Sequence, residues 1–199
     1  MLPALGWRPY SAFIFDCDGT LADTMPIHQT AWIHALNGHG APFEFGWDLF
    51  MSRAGKTIEL TVVELNEQYG TALDPMRVAA DQRAHFDSLA ARALPLAEVV
   101  AFARARAAEG FPVSVASGGD APTVQRTLRT IGVSELFPVV VTAEEVLHGK
   151  PAPDLFLLAA KRMGVSPEQC LVFEDSPLGI IAAERAGMGA VLVERASTP

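Results

Sequence analysis

Apolar and polar positions divide the chain into two patterns. Near its start, residues 11–16 hold Ala12, Phe13, Ile14 and Phe15 in one unbroken apolar run. A run of that length suits a strand covered on both faces in a parallel sheet. It stops abruptly at Asp16-Cys17-Asp18-Gly19-Thr20. From residue 24 to about residue 93 the pattern turns helical. Ile27, Ala31 and Ala35 recur at four-residue spacing behind Thr24, a capping residue type, and Pro26, and Asn37-Gly38 offers a stop. Ile58, Val62, Leu65 and Tyr69 form one stripe on a helix over 57–69, with Gly70 as terminator. A third helix starts at Asp74-Pro75 and carries Val78, Phe86 and Leu89. No strand is predicted in this stretch.

After Pro95 short apolar runs alternate with helical stretches. Helices are predicted over 96–109, 121–131, 153–163 and 178–186, each followed by a glycine: Gly110, Gly132, Gly164 and Gly187. Strands are predicted over 112–116, 137–141, 170–173 and 190–193. Such alternation predicts an α/β fold with a doubly wound parallel sheet, a Rossmann-like core. The core comprises residues 1–23 and 94–199, and residues 24–93 form a small all-helical cap inserted after the first strand. The sequence shows neither internal repeats nor low-complexity tracts.

Composition narrows the function classes. The 199 residues suffice for one domain with a modest insert. Half of them are hydrophobic and 19% are charged, a balance that supports a sizeable core. A formal net charge of -8 argues against a nucleic-acid partner. No apolar run approaches the ~18 residues of a membrane span, so no membrane partner is expected. Residues 1–10 lack the features of a secretory leader. Cys17 and Cys170 are too few for a disulfide framework, so a reducing, cytoplasmic location is expected. Nothing in the sequence marks an oligomeric state.

In open α/β sheets ligands gather beyond the carboxyl ends of the strands. Four predicted strand ends carry polar residues: Asp16 and Asp18; Ser117 with Gly118 and Gly119; Lys150, shortly after the third strand; and Glu174 with Asp175. Each has an ordinary structural reading. Asp18-Gly19 suits a turn, Ser117 to Asp120 a loop and helix cap, Lys150 a solvated surface, and Glu174-Asp175-Ser176-Pro177 a helix start. Chance placement after four separate strands is a much weaker explanation.

Carboxylates gathered on one edge repel each other, so some stay protonated or a cation binds. Such a cluster suits a hard, oxygen-seeking ion such as Mg²⁺. Ser117, Lys150 and the helix N-terminus near Ala121 add the elements of a phosphate site. An anionic nucleophile about 4 Å from a phosphate dianion is repelled by roughly 8 kcal/mol at an effective dielectric of ~20, so near-inactivity without the ion is expected.

Other motifs fail. A calcium loop from Asp16 has Leu21 and Ile27 where glycine and glutamate are required. Gly55-Lys56-Thr57 has Phe50 where a phosphate loop needs its first glycine, and Gly38-His39-Gly40 lacks the third glycine of a dinucleotide fingerprint. There is no CxxC, no HExxH and no nucleophile elbow around Ser117.

Phe15-Asp16-Cys17-Asp18-Gly19-Thr20-Leu21 resembles the DxDGT signature of the haloacid dehalogenase-like superfamily. Ser117, the run from Gly149 to Asp154 and Glu174-Asp175-Ser176 are similar to its other three motifs, in order. The likeness spans essentially the whole chain. Asp23-Thr24 and the run from Glu174 to Ile180 look most like the β-phosphoglucomutase-like branch, which includes sugar-phosphate phosphatases.

The resemblance implies a mechanism. Asp16 attacks phosphorus to form an aspartyl-phosphate, and Asp18 protonates the leaving oxygen and then activates water. Ser117, Gly118 and Lys150 hold the phosphoryl oxygens. Mg²⁺ is held by Asp16, the Asp18 carbonyl and Asp175, with Glu174 as a further ligand, directly or through water. A second aspartate argues against the superfamily's metal-independent dehalogenases. In the cap, Arg53 and Lys56 are expected to grip the distal part of an anionic substrate, and His28 to face the site, as the cap closes. Cys17 is expected to be packing rather than a reactive thiol. The leading reading is a phosphatase acting on a small phosphorylated metabolite. The alternatives are a phosphoglucomutase-type isomerase and a catalytically silent binding protein.

Overall fold

A computed structural model describes residues 10–194. Strands β1 (Ala12–Phe15), β2 (Val113–Ala116), β3 (Val139–Val141), β4 (Cys170–Glu174) and β5 (Gly189–Leu192) form, among the described residues, one parallel sheet in the order β3-β2-β1-β4-β5. The doubly wound α/β architecture is the predicted one. The order reverses direction at β1, which places the end of that strand at the switch point where such sheets hold ligands.

Both faces of the sheet are covered. Phe13 and Phe15 point into a core with Val99 and Ala103 of α5 (Ala97–Ala108) and Val124 and Leu128 of α6 (Ala121–Thr130). Ala12 and Ile14 point the other way, to Leu155 and Phe156 of α7 (Asp154–Met163) and Ala182 and Ala183 of α8 (Pro177–Arg185). That two-sided burial explains the unbroken apolar run of β1, since alternate residues serve opposite cores. Phe15 stacks on Phe173 of β4, ring centroids 4.9 Å apart. Burial of each such ring contributes about 1.5–3 kcal/mol.

Between β1 and α5 lie α1 (Met25–Gly38), α2 (Trp47–Met51), α3 (Ile58–Tyr69) and α4 (Pro75–Leu89). Trp32, Leu36, Phe45, Phe50, Val62, Leu65 and Val78 form a separate core there. Ile27, Ala31 and Phe86 join the core of Phe13 and Phe15 instead, which ties the helical segment to the sheet's own core. The outgoing and returning chains are tied where they pass. Asp23 N–H donates to the Leu94 carbonyl at 2.8 Å and Leu96 N–H to the Leu21 carbonyl at 2.9 Å.

Two local expectations are corrected. Thr24 stands at the start of α1 but makes no side-chain cap there. Helix α2 was not predicted, because its 5 residues are too short to show a helical period. Thr57 does cap α3, and Gly70 ends it in the left-handed conformation. No helix among the described residues is long and apolar enough to cross a membrane. Residues 1–9 and 195–199, part of the predicted core, lie outside the described residues, and with them most of the 1–10 stretch read for a secretory leader.

Candidate active site

Asp16 follows β1 directly, Ser117 follows β2, and Glu174 ends β4 with Asp175 next. The backbone aligns these ends: Asp16 N–H donates to the Phe173 carbonyl at 2.9 Å, and Ser117 N–H to the Val141 carbonyl at 3.0 Å. Side-chain oxygens of Asp16, Glu174 and Asp175 all come within 4.8 Å of one another. The Lys150 ammonium, on a side chain only 2% exposed, donates to Asp16 Oδ1 and Glu174 Oε1, each at 2.6 Å. Lys150 arrives from the long loop after β3, where the Lys150-Pro151 peptide is cis.

Two glycines let the backbone close on these acids. A Cβ on Gly19, whose φ is +88°, would lie 2.0 Å from Asp175 Oδ2. One on Gly179 would lie 1.9 Å from the Glu174 carboxyl carbon. The other Glu174 oxygen accepts from the Ser176 N–H at 2.6 Å. Ser117 Oγ accepts from the Gly119 N–H at 3.1 Å. A Cβ on Gly119 would be 3.4 Å from that Oγ and 3.8 Å from Asp18 Oδ2, so Ser117 and Asp18 flank the same loop.

The electrostatics follow from one ammonium among several carboxylates. Burial, joined by the charges of Glu174 and Asp18, pushes Asp16 up to about 7 even though Lys150 opposes the shift. Burial raises Asp175 well above the carboxylate range, with Asp16 and Glu174 adding to it. For Lys150 burial works the other way, and its two carboxylate partners overcome it and raise its pKa. Asp18 differs. Burial would raise it, but His28 and the Thr24 hydroxyl pull it below its ordinary value. Thr24 donates to Asp18 Oδ1 at 2.7 Å, and His28 Nε2 lies 3.5 Å from the same oxygen. His28 is itself held by stacking on Phe86, centroids 4.1 Å apart.

Asp16, Glu174 and Asp175 fit a divalent cation. Asp175 Oδ2 is buried without a hydrogen-bond partner, and hard carboxylate oxygens are the donors such ions take. Cys17 is fully buried and its thiol is raised by that burial, which makes it inert packing.

Above this cluster lies a cavity of about 490 Å³, within the usual range for small-molecule sites. Asp16, Asp18, Ser117, Gly118, Lys150, Glu174 and Asp175 line it from the sheet, and His28, Arg53 and Lys56 from the helical segment. Arg53 and Lys56 both reach Glu64 of α3: Arg53 at 2.5 Å, Lys56 at 2.6 and 2.7 Å. The N-terminus of α6, expected to help hold phosphate, carries carboxylates instead. Asp120 accepts from the Thr123 N–H at 2.9 Å and Glu144 from the Ala121 N–H at 3.1 Å. The Asp120 cap and Glu144 from the segment after β3 satisfy those donors, so the expectation is corrected.

The segment touches the core around the site. A Cβ on Gly55 would lie 3.3 Å from Leu178 Cβ, and Arg83 Nε is 3.7 Å from Asp120 Oδ2. Arg126 and Asp87 make a second ion pair between the two parts. The sequence reading missed Glu64, Gln82, Arg83 and Glu144. It singled out Thr24 as a capping residue and in the family likeness, but not for its contact with Asp18.

Acids and a lysine at the ends of parallel strands, beneath a helical insert, define an α/β enzyme of the hydrolase class. The chain belongs to the haloacid dehalogenase-like hydrolases, whose sequence profile matches residues 10–187. It is 38% identical over 189 residues to fructose-1-phosphate phosphatase YqaB of Escherichia coli strain K12, covering 93% of this chain and 97% of that protein. It is 30% identical over 189 residues to hexitol phosphatase A of the same strain, covering 94% and 85%. A solved hydrolase structure from Pseudomonas syringae superposes with a TM-score of 0.81 at 27% identity, covering 90% of this chain and 83% of that one.

Proposed function

We propose that this protein is a Mg²⁺-dependent phosphatase that hydrolyses a small sugar phosphate through an aspartyl-phosphate, with residues 24–93 as its cap domain. The observation that carries this reading is the cluster of buried Asp16, Lys150 and Glu174 with half-buried Asp175 at the floor of the cavity. Bound Mg²⁺, held by Asp16, the Asp18 carbonyl and Asp175 with Glu174 beside them, would supply positive charge to the phosphoryl oxygens.

Lys150 fixes the orientation of the Asp16 carboxylate. An Asp16 oxygen attacks phosphorus as the phosphorus–sugar-oxygen bond breaks, and Asp18 gives its proton to the departing oxygen. The substrate dianion raises Asp18 from its lowered resting pKa and so favours the protonated form needed first. Once the sugar leaves, Asp18 is a carboxylate. It takes a proton from water as water attacks the aspartyl-phosphate, which releases phosphate and restores Asp16. Ser117, Gly118 and Lys150 hold the transferring oxygens throughout. Thr24 and His28 position Asp18. Two buried free cysteines support a reducing, cytoplasmic setting.

Fructose 1-phosphate is the first ester to try, because a relative is named for its hydrolysis. Phosphate release in excess Mg²⁺, falling at least about a hundredfold with chelator, is expected. Undiminished turnover in chelator would overturn the cation's role. Glucose 1-phosphate separates the mutase alternative, which would return glucose 6-phosphate instead of free phosphate.

A further inference from the structure

The cap-side wall of the cavity is rich in cations, and each has a carboxylate partner. Among the described residues that line the cavity, Arg53, Lys56 and Arg83 are the cations apart from Lys150. Glu64 takes both Arg53 and Lys56, with Lys56 touching both of its carboxylate oxygens. Arg53 also donates to Gln68. Arg83 donates to Glu59 at 2.6 Å and lies near Asp120. Glu59, Asp120 and Glu144 line the cavity themselves, so three carboxylates face the space where the far end of a substrate would sit. The neutral lining includes Gln82, Thr123 and Trp32, which can hydrogen-bond hydroxyls.

We propose that Glu64, by holding Arg53 and Lys56 in ion pairs, sets the substrate class: a monophosphate with an uncharged, hydroxylated remainder, with bisphosphates excluded. This deepens the proposed phosphatase reading and rests on it. A second phosphate in the cavity would have to compete with Glu64 for Arg53 and Lys56, beside the carboxylates of Glu59, Asp120 and Glu144. A neutral polyol need not compete. Glu64 stands behind the cavity wall and acts through Arg53 and Lys56, so it is a positioning residue. Specificity of this kind comes from charges that are unfavourable to the wrong ligand as much as from contacts to the right one. Its carboxyl is held below the usual glutamate range, chiefly by the hydrogen bond from Lys56 with burial opposing, so the pair is charged at neutral pH.

The test compares fructose 1-phosphate with fructose 1,6-bisphosphate in excess Mg²⁺, each as substrate and as competitor of p-nitrophenyl phosphate. The wild-type enzyme should favour the monophosphate by at least about tenfold in kcat/KM, or in inhibition constant where turnover is absent. Glu64→Gln, which frees both cations, should narrow that ratio by about fivefold or more, through a lower KM for the bisphosphate. Glu64→Asp, which keeps the charge, should stay nearer the wild-type ratio. A merely structural loss would depress both sugars alike and leave the ratio unmoved. Equal or better use of the bisphosphate by the wild type overturns the assignment, as does an unmoved ratio in Glu64→Gln. An equal shift in Glu64→Asp assigns the effect to shape and overturns it too. Failure to hydrolyse any of the three esters overturns the phosphatase reading instead.

Discussion

On the sheet side of the cavity, Asp16, Asp18, Glu174 and Asp175 gather around one lysine. On the cap side, Arg53, Lys56 and Arg83 each meet a carboxylate. The first arrangement is unbalanced and buried, and it pushes Asp16 and Asp175 away from their ordinary ionisation. The second pairs three cations with Glu64 and Glu59 and is partly exposed. Unbalanced buried charge is a demand for a further cation or a reacting group. Paired charge at a surface contributes little to stability, and the proposed reading gives it selection instead. In the proposed reading, chemistry and discrimination are divided between the two walls of one cavity.

The difference can be broken at its strongest point first. Asp16→Asn keeps the side chain's shape and removes one of the crowded carboxylates. Phosphate release should fall by at least about a thousandfold, while thermal stability should hold or rise because a repelling charge has gone. A rate within tenfold of the wild type would remove Asp16 from the nucleophile's role.

Lys150→Met tests the same wall from the other side. It leaves Asp16 and Glu174 buried without their shared partner, and urea unfolding should show a loss of about 3–5 kcal/mol. The contrast with Asp16→Asn is the point: deleting an acid relieves the cluster, and deleting its base strands it. A loss under ~1 kcal/mol, the range of a surface pair, would show that Lys150 is not the hub of the cluster.

The smallest effect belongs to the cap. Glu64 has a folded pKa below its unfolded value, so its contribution is present above the unfolded pKa and is lost as pH falls through the folded one. Glu64→Gln should remove that share. Denaturant midpoints of wild type and variant should therefore differ near neutral pH and draw together below about pH 4. A gap that widens on acidification would reverse the sign and break the ion-pair account of the cap.

Legibility followed the same division. The strand ends were readable because each acid, serine or lysine follows a distinct apolar run, and a parallel sheet brings such ends to one edge. Asp16 and Glu174 stand 158 positions apart in the chain yet share Lys150, a consequence of neighbouring strands β1 and β4. The cap pairs had no such signal. Glu64 lies 11 residues from Arg53 and 8 from Lys56, with a helix start between them, so no helical period joins the three. Thr24 was legible as a helix start by residue type, but its hydroxyl turned to Asp18 because the chain folds back there. The α6 N-terminus was legible as an anion site and proved to be satisfied by Glu144 from a distant loop.

Order along the chain determined the α/β architecture, the helical insertion after β1 and the identity of the polar strand ends, because strand burial and helix periodicity are short-range patterns. The tertiary structure alone decided that Lys150 bridges Asp16 and Glu174, that Asp175 keeps one oxygen unpartnered, and that Glu64 occupies the cap's two basic side chains. Those are matters of distance and burial between remote segments, and such distances set both the strength of charge interactions and the ligand a cavity accepts.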